Sequence, residues 1–371
     1  MSAGNYTAAA IAFSRAAMAD PGALPLWSNL AHAHRLADNT AGERAALDSA
    51  LAIDRVDFGA QLRMAQLLQR IGEETAAFIA WAGVQQLAAR LPIVAPQVKR
   101  ELEAGRLYCE ELQTRLYARV DQALAPSSVD WGQAEERRIR AFVGSAMGLR
   151  RVFHNQCAGV FYPFLPEDEY FDRLHFPWLD QLEMHHGAIK QELQALLEEP
   201  GDALRPYVKM EEGTPQNDWS KLDGSLDWGA CFLWEYGVPN APVIDRCPQT
   251  ATLLESLPLA RIAGRAPNAF FSILQPHSHI PPHTGVTNTR VTIHFGLDVP
   301  AGCGFRVGNE TREWTEGKAF AFDDTIEHEA WNSSNRLRAI LIIDAWNPHL
   351  SERERSAICD YFAASDAALA G

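Results

Sequence analysis

Paired cysteines are missing from this 371-residue chain. Its six cysteines, Cys109, Cys157, Cys231, Cys247, Cys303 and Cys359, lie far apart, and none stands in a CxxC spacing. That excludes a zinc knuckle or thioredoxin-type motif and leads us to expect reduced thiols in a cytoplasmic protein. Long apolar runs are missing too, and the opening MSAGNYTAAAIAFSRAAMAD has no basic stretch followed by an unbroken apolar one. Neither a membrane span nor a signal peptide is expected. Positive charge is in deficit, with 33 Lys and Arg against 47 Asp and Glu and a net charge of −14. Such a surface repels phosphate backbones and anionic headgroups, which sets aside nucleic acid and membranes as general partners but allows a local basic pocket.

What the chain does have is ordinary globular material, with 47% hydrophobic and 9% aromatic residues, enough to build a buried core. At about 2.5 times a typical domain length, two domains or one large one are expected. The texture changes near residue 150. Up to about 125 the chain is rich in Ala, Leu and Gln, and an offset of 34 residues aligns Asp20 with Asp54, Leu30 with Met64, Ala31 with Ala65 and Ala16 with Ala50. That period belongs to tetratricopeptide (TPR) helix hairpins; an ordinary Ala-rich helical domain is the competing reading. Residues 1–150 are expected to form a TPR-like helical domain with connecting helices, and 151–371 a second domain.

The second part opens with aromatic loops and one helix expected over 179–199. Beyond 228, short strand-like segments separated by Gly, Pro and Asn point to a β sandwich or barrel. A hairpin is read around Gly308-Asn309-Glu310, and Ser351 with Glu354 forms a capping box for a last helix reaching about Phe362.

The chemistry concentrates in 270–346. A proline-constrained segment carries His277, His279 and His283. The next run alternates: Val291, Ile293, Phe295 and Leu297 share one strand face, and Arg290, Thr292 and His294 the other. The polar face is either solvated or lines a pocket. The strand from Arg338 to Asp344 is apolar on both faces yet begins with a cation, which makes Arg338 a candidate partner for a ligand carboxylate, with a structural ion pair as its alternative. Arg290 has internal competitors in Asp298 and Glu310, and Ser272 reads equally as a strand-edge hydroxyl. His154, His175, His277 and His279 read as structural, and His185 and His186 as solvated.

In order along the chain, Ser272, His283-Thr284-Gly285, Arg290, His294, Phe322-Asp323-Asp324, Glu327-His328-Glu329 and Arg338 resemble the aspartyl/asparaginyl β-hydroxylase family of iron(II)- and 2-oxoglutarate-dependent oxygenases, over roughly residues 150–360. The resemblance implies a double-stranded β-helix (jelly-roll) domain behind the TPR-like helices, an α+β multidomain protein. It makes His283 and His328 the iron ligands. Non-haem iron needs neutral imidazoles and open positions for cosubstrate and O₂. Most such sites add an Asp two residues after the first His; Gly285 stands there, so iron would keep two protein ligands, with Asp323 or Asp324 as substitutes unless they serve only the turn. The far carboxylate of 2-oxoglutarate would meet Arg338 with help from Ser272, and His294 would contact the iron-proximal carboxylate. Arg290 would meet a substrate carboxylate, while Thr292 occupies a place where some members present a second Arg.

The implied activity is that of a dioxygenase hydroxylating an unactivated C–H bond with O₂, the leading substrate being the β-carbon of Asp or Asn in a peptide or protein. The alternatives are a small molecule or acyl chain as substrate, halogenation at an iron lacking its carboxylate, or a TPR adaptor whose β-domain binds ligand without catalysis. A cytoplasmic location without nucleic-acid or membrane partners completes the expectation.

Overall fold

A computed structural model describes residues 5–370. The chain divides into two compact units, with the boundary between Leu149 and Arg150. Among the described residues, no helix is long and apolar enough to cross a membrane.

The first unit is helical: α1 (Tyr6–Ala19), α2 (Leu24–Leu36), α3 (Thr40–Ile53), α4 (Phe58–Ile71), α5 (Glu74–Ala88), α6 (Pro96–Ser128) and α7 (Gln133–Ala146). The helices therefore run well past residue 125. Asn5, Asn39 and Asp57 start α1, α3 and α4 by accepting a backbone N–H three residues on. The 34-residue offset is structural: α3 begins and ends 34 residues after α1, α4 begins 34 after α2, and Asp20 and Asp54 close α1 and α3. Leu30 and Met64 sit in one buried cluster with Ala31, Ala46 and Ala50, small residues that let helices approach closely. Gly105 of α6 leaves room for the Trp81 ring of α5, which a Cβ at 105 would overlap.

The second unit begins its helices with α8 (Leu179–Met184) and α9 (His186–Glu198), so the single helix expected over 179–199 is broken at His185. The cause is local. The His185 ring Nδ1 bonds the Gln181 carbonyl at 2.8 Å, the oxygen that the His185 N–H would use in a continuous helix, and that N–H turns to Leu182 instead. Strands β1 (Arg205–Pro206), β2 (Trp228–Glu235) and β3 (Val238–Pro239) precede α10 (Ala241–Ile244) and α11 (Pro248–Ser256). Then come β4 (Ala269–Leu274), β5 (Ser278–His283), β6 (Arg290–Asp298), β7 (Cys303–Val307), β8 (Glu310–Arg312), β9 (Ala319–Phe322), β10 (His328–Asn332) and β11 (Arg338–Trp346). The last helix, α12 (Glu352–Ala370), starts at the Ser351–Glu354 capping box but runs beyond Phe362.

These strands form a larger antiparallel sheet, ordered β1-β2-β4-β11-β6-β9 with β3 on β2, and a smaller one, ordered β5-β10-β7-β8. From β4 to β11 the chain passes back and forth between the sheets, with β7 and β8 joined by a hairpin whose turn uses Gly308 at φ 55°. This is a double-stranded β-helix. The outer face of the larger sheet (Leu233, Phe271, Ile293, Phe295, Leu341) packs on Leu182, Leu193 and Leu254 of α8, α9 and α11. Each such buried side chain contributes about 1.5–3 kcal/mol. With that face anchored, the inner face is free to carry polar groups.

Replacing Gly105 by Val should cost the helical unit about 1–3 kcal/mol by overpacking against Trp81. Thermal denaturation followed by far-ultraviolet circular dichroism would read this as a lowered midpoint; an unchanged midpoint would mean that α6 is not seated on that ring.

Candidate active site

Strand alternation turns one face of the larger sheet toward the smaller one, and strand register stacks that face in layers. The innermost layer places Arg338 in register with Leu274, and Leu274 with Trp228. The next joins Ser272, Ile340 and Ala230; the third aligns His294, Ile342, Phe270 and Phe232. Asp344 opposite Thr292 forms the fourth, and Arg290 opposite Trp346 follows. These layers line a cavity of about 1360 Å³, to which the smaller sheet contributes His283 and His328. Ser272, His283, Arg290, Thr292, His294, His328 and Arg338 all border it.

His283 and His328 are register partners on β5 and β10, their ring centroids 4.1 Å apart. Each Nδ1 bonds a carbonyl two residues back, Pro281 at 2.8 Å and Ile326 at 2.9 Å. A carbonyl only accepts, so Nδ1 carries the proton and each Nε2 keeps a lone pair. Burial lowers both pKa values, and for His328 the neighbouring His283 lowers it further. Two neutral imidazoles with free lone pairs suit a transition metal. Among the described residues no cluster of three or more His, Cys, Asp or Glu side chains is arranged to hold a metal ion, so the pair stands without a third ligand of that kind.

Gly285 explains part of that geometry. A Cβ at 285 would overlap the carboxylate of Asp324, whose backbone carbonyl accepts the Gly285 N–H. The missing side chain is thus replaced in space by one from a distant position. Asp323 and Asp324 divide their work. Asp323 serves the turn, accepting from the Thr325 N–H and hydroxyl and from Asn155, whereas Asp324 lines the cavity. Burial and the negative charges of Asp323 and Asp344 push the Asp324 carboxyl up to about 8.

Arg338 is 1% exposed. Its Nη1 donates to the Ser272 carbonyl and hydroxyl at 3.2 Å, its guanidinium lies 4.8 Å from the Trp314 ring centre, and its Nε has no partner. Among the described residues no carboxylate pairs with it, so the alternative of a structural ion pair is set aside, and burial draws its pKa down to about 10. Ser272 also accepts from Trp228 Nε1 at 3.0 Å, which fixes its hydroxyl beside the guanidinium. His294 accepts from Trp314 Nε1 at 3.3 Å through Nδ1, which leaves its proton on Nε2 as a donor. Burial first, then Arg338, holds its pKa well below the usual imidazole value.

Arg290 is engaged, but by neither expected partner. Asp298 pairs with Arg336 and Glu310 with Arg312, while Arg290 Nη1 donates to Asp344 Oδ2 at 2.6 Å and to the Arg265 carbonyl at 3.1 Å. Asp324 was read from the sequence, with Asp323, as a substitute for the missing third ligand, whereas Trp228, Trp314 and Asp344 were not singled out. Asp344 was the most accessible of them, since it shares strand parity with Arg338. The four histidines read as structural have ordinary surroundings: His154 meets Glu167, His277 meets Asn335, His279 meets Glu329, and the His175 ring lies against those of Phe176 and His349.

The unit is thus a jelly roll whose cavity holds a buried imidazole pair together with an arginine that lacks a carboxylate among the described residues. Residues 183–348 match the family model described as aspartyl/asparaginyl beta-hydroxylase. The human aspartyl/asparaginyl beta-hydroxylase is 41% identical over 133 residues, 36% of this chain and 17% of that protein. An ornithine lipid ester-linked acyl 2-hydroxylase of Rhizobium tropici is 33% identical over 181 residues, 48% of this chain and 60% of that one. Aspartate beta-hydroxylase domain-containing protein 2 of Rattus norvegicus is 32% identical over 207 residues, 55% of this chain and 58% of that protein. The similarity to the aspartyl/asparaginyl beta-hydroxylase family lies wholly within the carboxy-terminal unit. The chain spans about a sixth of the length of the human relative and less than two thirds of the other two.

The buried imidazoles give a pH signature. An unfolded His titrates near 6.5, but folded His283, His294 and His328 titrate lower, so below pH 6.5 the unfolded chain binds more protons and stability falls. Asp324 acts with the opposite sign, since its raised pKa favours the folded state at low pH. In Asp324→Asn protein without metal, the urea midpoint should therefore drop between pH 7.5 and 5.5, and more steeply than in the unsubstituted chain. Equal midpoints at both pH values would show that the imidazoles are not held neutral by burial.

Proposed function

We propose that the carboxy-terminal unit is an iron(II)- and 2-oxoglutarate-dependent dioxygenase that hydroxylates a C–H bond. The observation that carries this reading is Arg338, a buried cation with an unpartnered Nε and no carboxylate, in the same cavity as the His283–His328 pair. A dicarboxylic cosubstrate supplies the missing anion, and the planar guanidinium suits bidentate contact.

His283 and His328 would hold the iron through Nε2, while their Nδ1–H bonds to main-chain carbonyls fix ring orientation. Bound there, iron(II) supplies activation of O₂, coupled to decarboxylation of 2-oxoglutarate to succinate and CO₂ with transfer of one oxygen atom to substrate. Arg338 and the Ser272 hydroxyl, braced by Trp228, would bind the distal carboxylate, and His294 would donate its Nε2–H to the proximal one. Phe305, Phe322 and Ile340 close the cavity wall around these groups and exclude water. Asp324 brings a carboxylate to the place left by Gly285.

An Asp or Asn side chain in a peptide is the substrate favoured by the family resemblance. Thr292 and the Arg290–Asp344 pair argue against it, because Thr292 brings no charge and the Arg290 guanidinium is already paired.

The test is iron(II)-dependent release of succinate from 2-oxoglutarate. His283→Ala should abolish it, and Arg338→Met should weaken 2-oxoglutarate binding by about tenfold to a hundredfold, the worth of a charge-assisted hydrogen bond. If the chain binds neither Mn(II) nor 2-oxoglutarate and releases no succinate, the proposal fails.

A further inference from the structure

We infer that residues 151–162 form a strap that positions both candidate metal ligands, with Asn155 as its positioning residue; the inference rests on the hydroxylase reading above. His283 is the last residue of β5 and His328 the first of β10, so the loops that adjoin them, 284–288 and 323–327, lie beyond the β5–β10 pairing. A main-chain bond from the Gly285 N–H to the Asp324 carbonyl ties these loops to each other. A further restraint comes from a distant segment, at the start of the second unit.

The strap is fastened as a strand would be. Its Gln156 N–H donates to the Thr325 carbonyl at 2.8 Å, its Ala158 N–H to the Gly285 carbonyl at 3.0 Å and its Gly159 N–H to the Val286 carbonyl at 2.8 Å. One segment thus holds the loop before His328 and the loop after His283. An asparagine side chain closes each end. The Asn309 amide accepts from the Arg151 N–H at 3.2 Å and donates to the Arg151 carbonyl at 2.7 Å, and the Asn288 amide does the same for Tyr162 at 2.7 and 2.8 Å. An amide that serves both polar groups of one residue takes the place of a strand neighbour. A Cβ at Gly159 would come within 2.9 Å of Val286 Cγ1 and 3.1 Å of the Val286 carbonyl oxygen, so the close approach depends on that glycine.

Asn155 joins the strap to the turn that leads into His328. Its Nδ2 donates to Asp323 Oδ2 at 2.7 Å and to Thr325 Oγ1 at 2.8 Å. Asp323 and Thr325 are buried, and the Thr325 N–H and hydroxyl already serve Asp323 Oδ1. Asn155 therefore completes the hydrogen bonding of a buried carboxylate, and its loss would leave Oδ2 without that donor and the turn free to open toward water. The effect is one of position more than of bulk stability, because Gln156, Ala158, Gly159 and Val160 are exposed and add little to the core. Position matters here, since the imidazole pair stands without a third His, Cys, Asp or Glu ligand among the described residues and must place a metal by itself.

The test uses the full chain and two readings: amide hydrogen exchange without metal, and Mn(II) affinity followed by electron paramagnetic resonance. In Asn155→Ala, exchange should rise in 284–288 and 323–327 and stay unchanged in β4 and β11, and Mn(II) should bind about tenfold more weakly. Gly159→Ala, which presses on Val286 while keeping every strap donor, should raise exchange mainly in 284–288. It decides the matter by the same readings if Asn155→Ala does not fold. Protected loops in the folded variant, or exchange raised throughout the β unit with Mn(II) affinity unchanged, would reduce the strap to a structural segment and overturn the inference. Absence of Mn(II) binding by the unsubstituted chain would sink the hydroxylase reading and the positioning role with it, whereas normal binding with undisturbed loops in the variants sinks the strap alone.

Discussion

A guanidinium buried without a carboxylate costs several kcal/mol, and the β unit carries that cost at Arg338. The arginine begins a strand that is apolar on both faces from Ala339 to Ile343, so it is held in place by a sheet whose stability comes from those residues. Around it, the side chains offer dipoles and π faces in place of charge: the Ser272 hydroxyl, the Ser272 carbonyl and the Trp314 ring. Each lessens the desolvation penalty, and none cancels the charge. The energetic deficit is therefore a stored affinity for an anion, and the anchored outer face of the sheet is what allows it to persist.

The same deficit shapes the neighbouring imidazoles. His294 is buried beside Arg338 and is kept neutral by both effects, while His283 and His328 are kept neutral by burial and, at His328, by their proximity. Neutral rings with Nδ1 committed to main-chain carbonyls present lone pairs, and a neutral ring with Nδ1 committed to a tryptophan presents a proton. One residue type thus performs opposite tasks, and the difference lies wholly in which partner takes Nδ1.

Much of this was legible because it is local. The alternation of Arg290, Thr292 and His294 against Val291, Ile293 and Phe295 is a property of a single strand, and the buried face emerges as read. The 34-residue offset also survives as helix boundaries, since caps and small interface residues recur with the repeat. What was not legible depends on register between distant segments. Arg290 and Asp344 both lie on cavity-facing positions by parity, but their pairing requires β6 and β11 to be neighbours. Asp324 meets Gly285 only because a main-chain bond aligns two loops. The break at His185 follows from a side chain competing for a backbone carbonyl, and α12 outruns Phe362 because its Ala-rich continuation contains no stop signal. Tyr207 and Trp219 come from a stretch without periodicity, so nothing in the pattern of the chain pointed them at the cavity.

Two arginines on one cavity show how little sequence distance separates a receptor from a structural cation. Arg338 and Arg290 both project from the inner face of the larger sheet, on adjacent strands. Asp344 is on the strand of Arg338 yet neutralises Arg290, because the register of β6 and β11 brings Arg290, and not Arg338, within 2.6 Å of its carboxylate. The cavity consequently has one end with an unmatched positive charge and another in which charge is already balanced. A molecule bound at the first end must bring an anion; one bound at the second must bring shape, hydrogen-bonding capacity of both signs and apolar surface. In a chain whose net charge is −14, a guanidinium buried without a carboxylate at one end of the cavity favours an anion small enough to enter, because the exterior field disfavours any anion that stays outside.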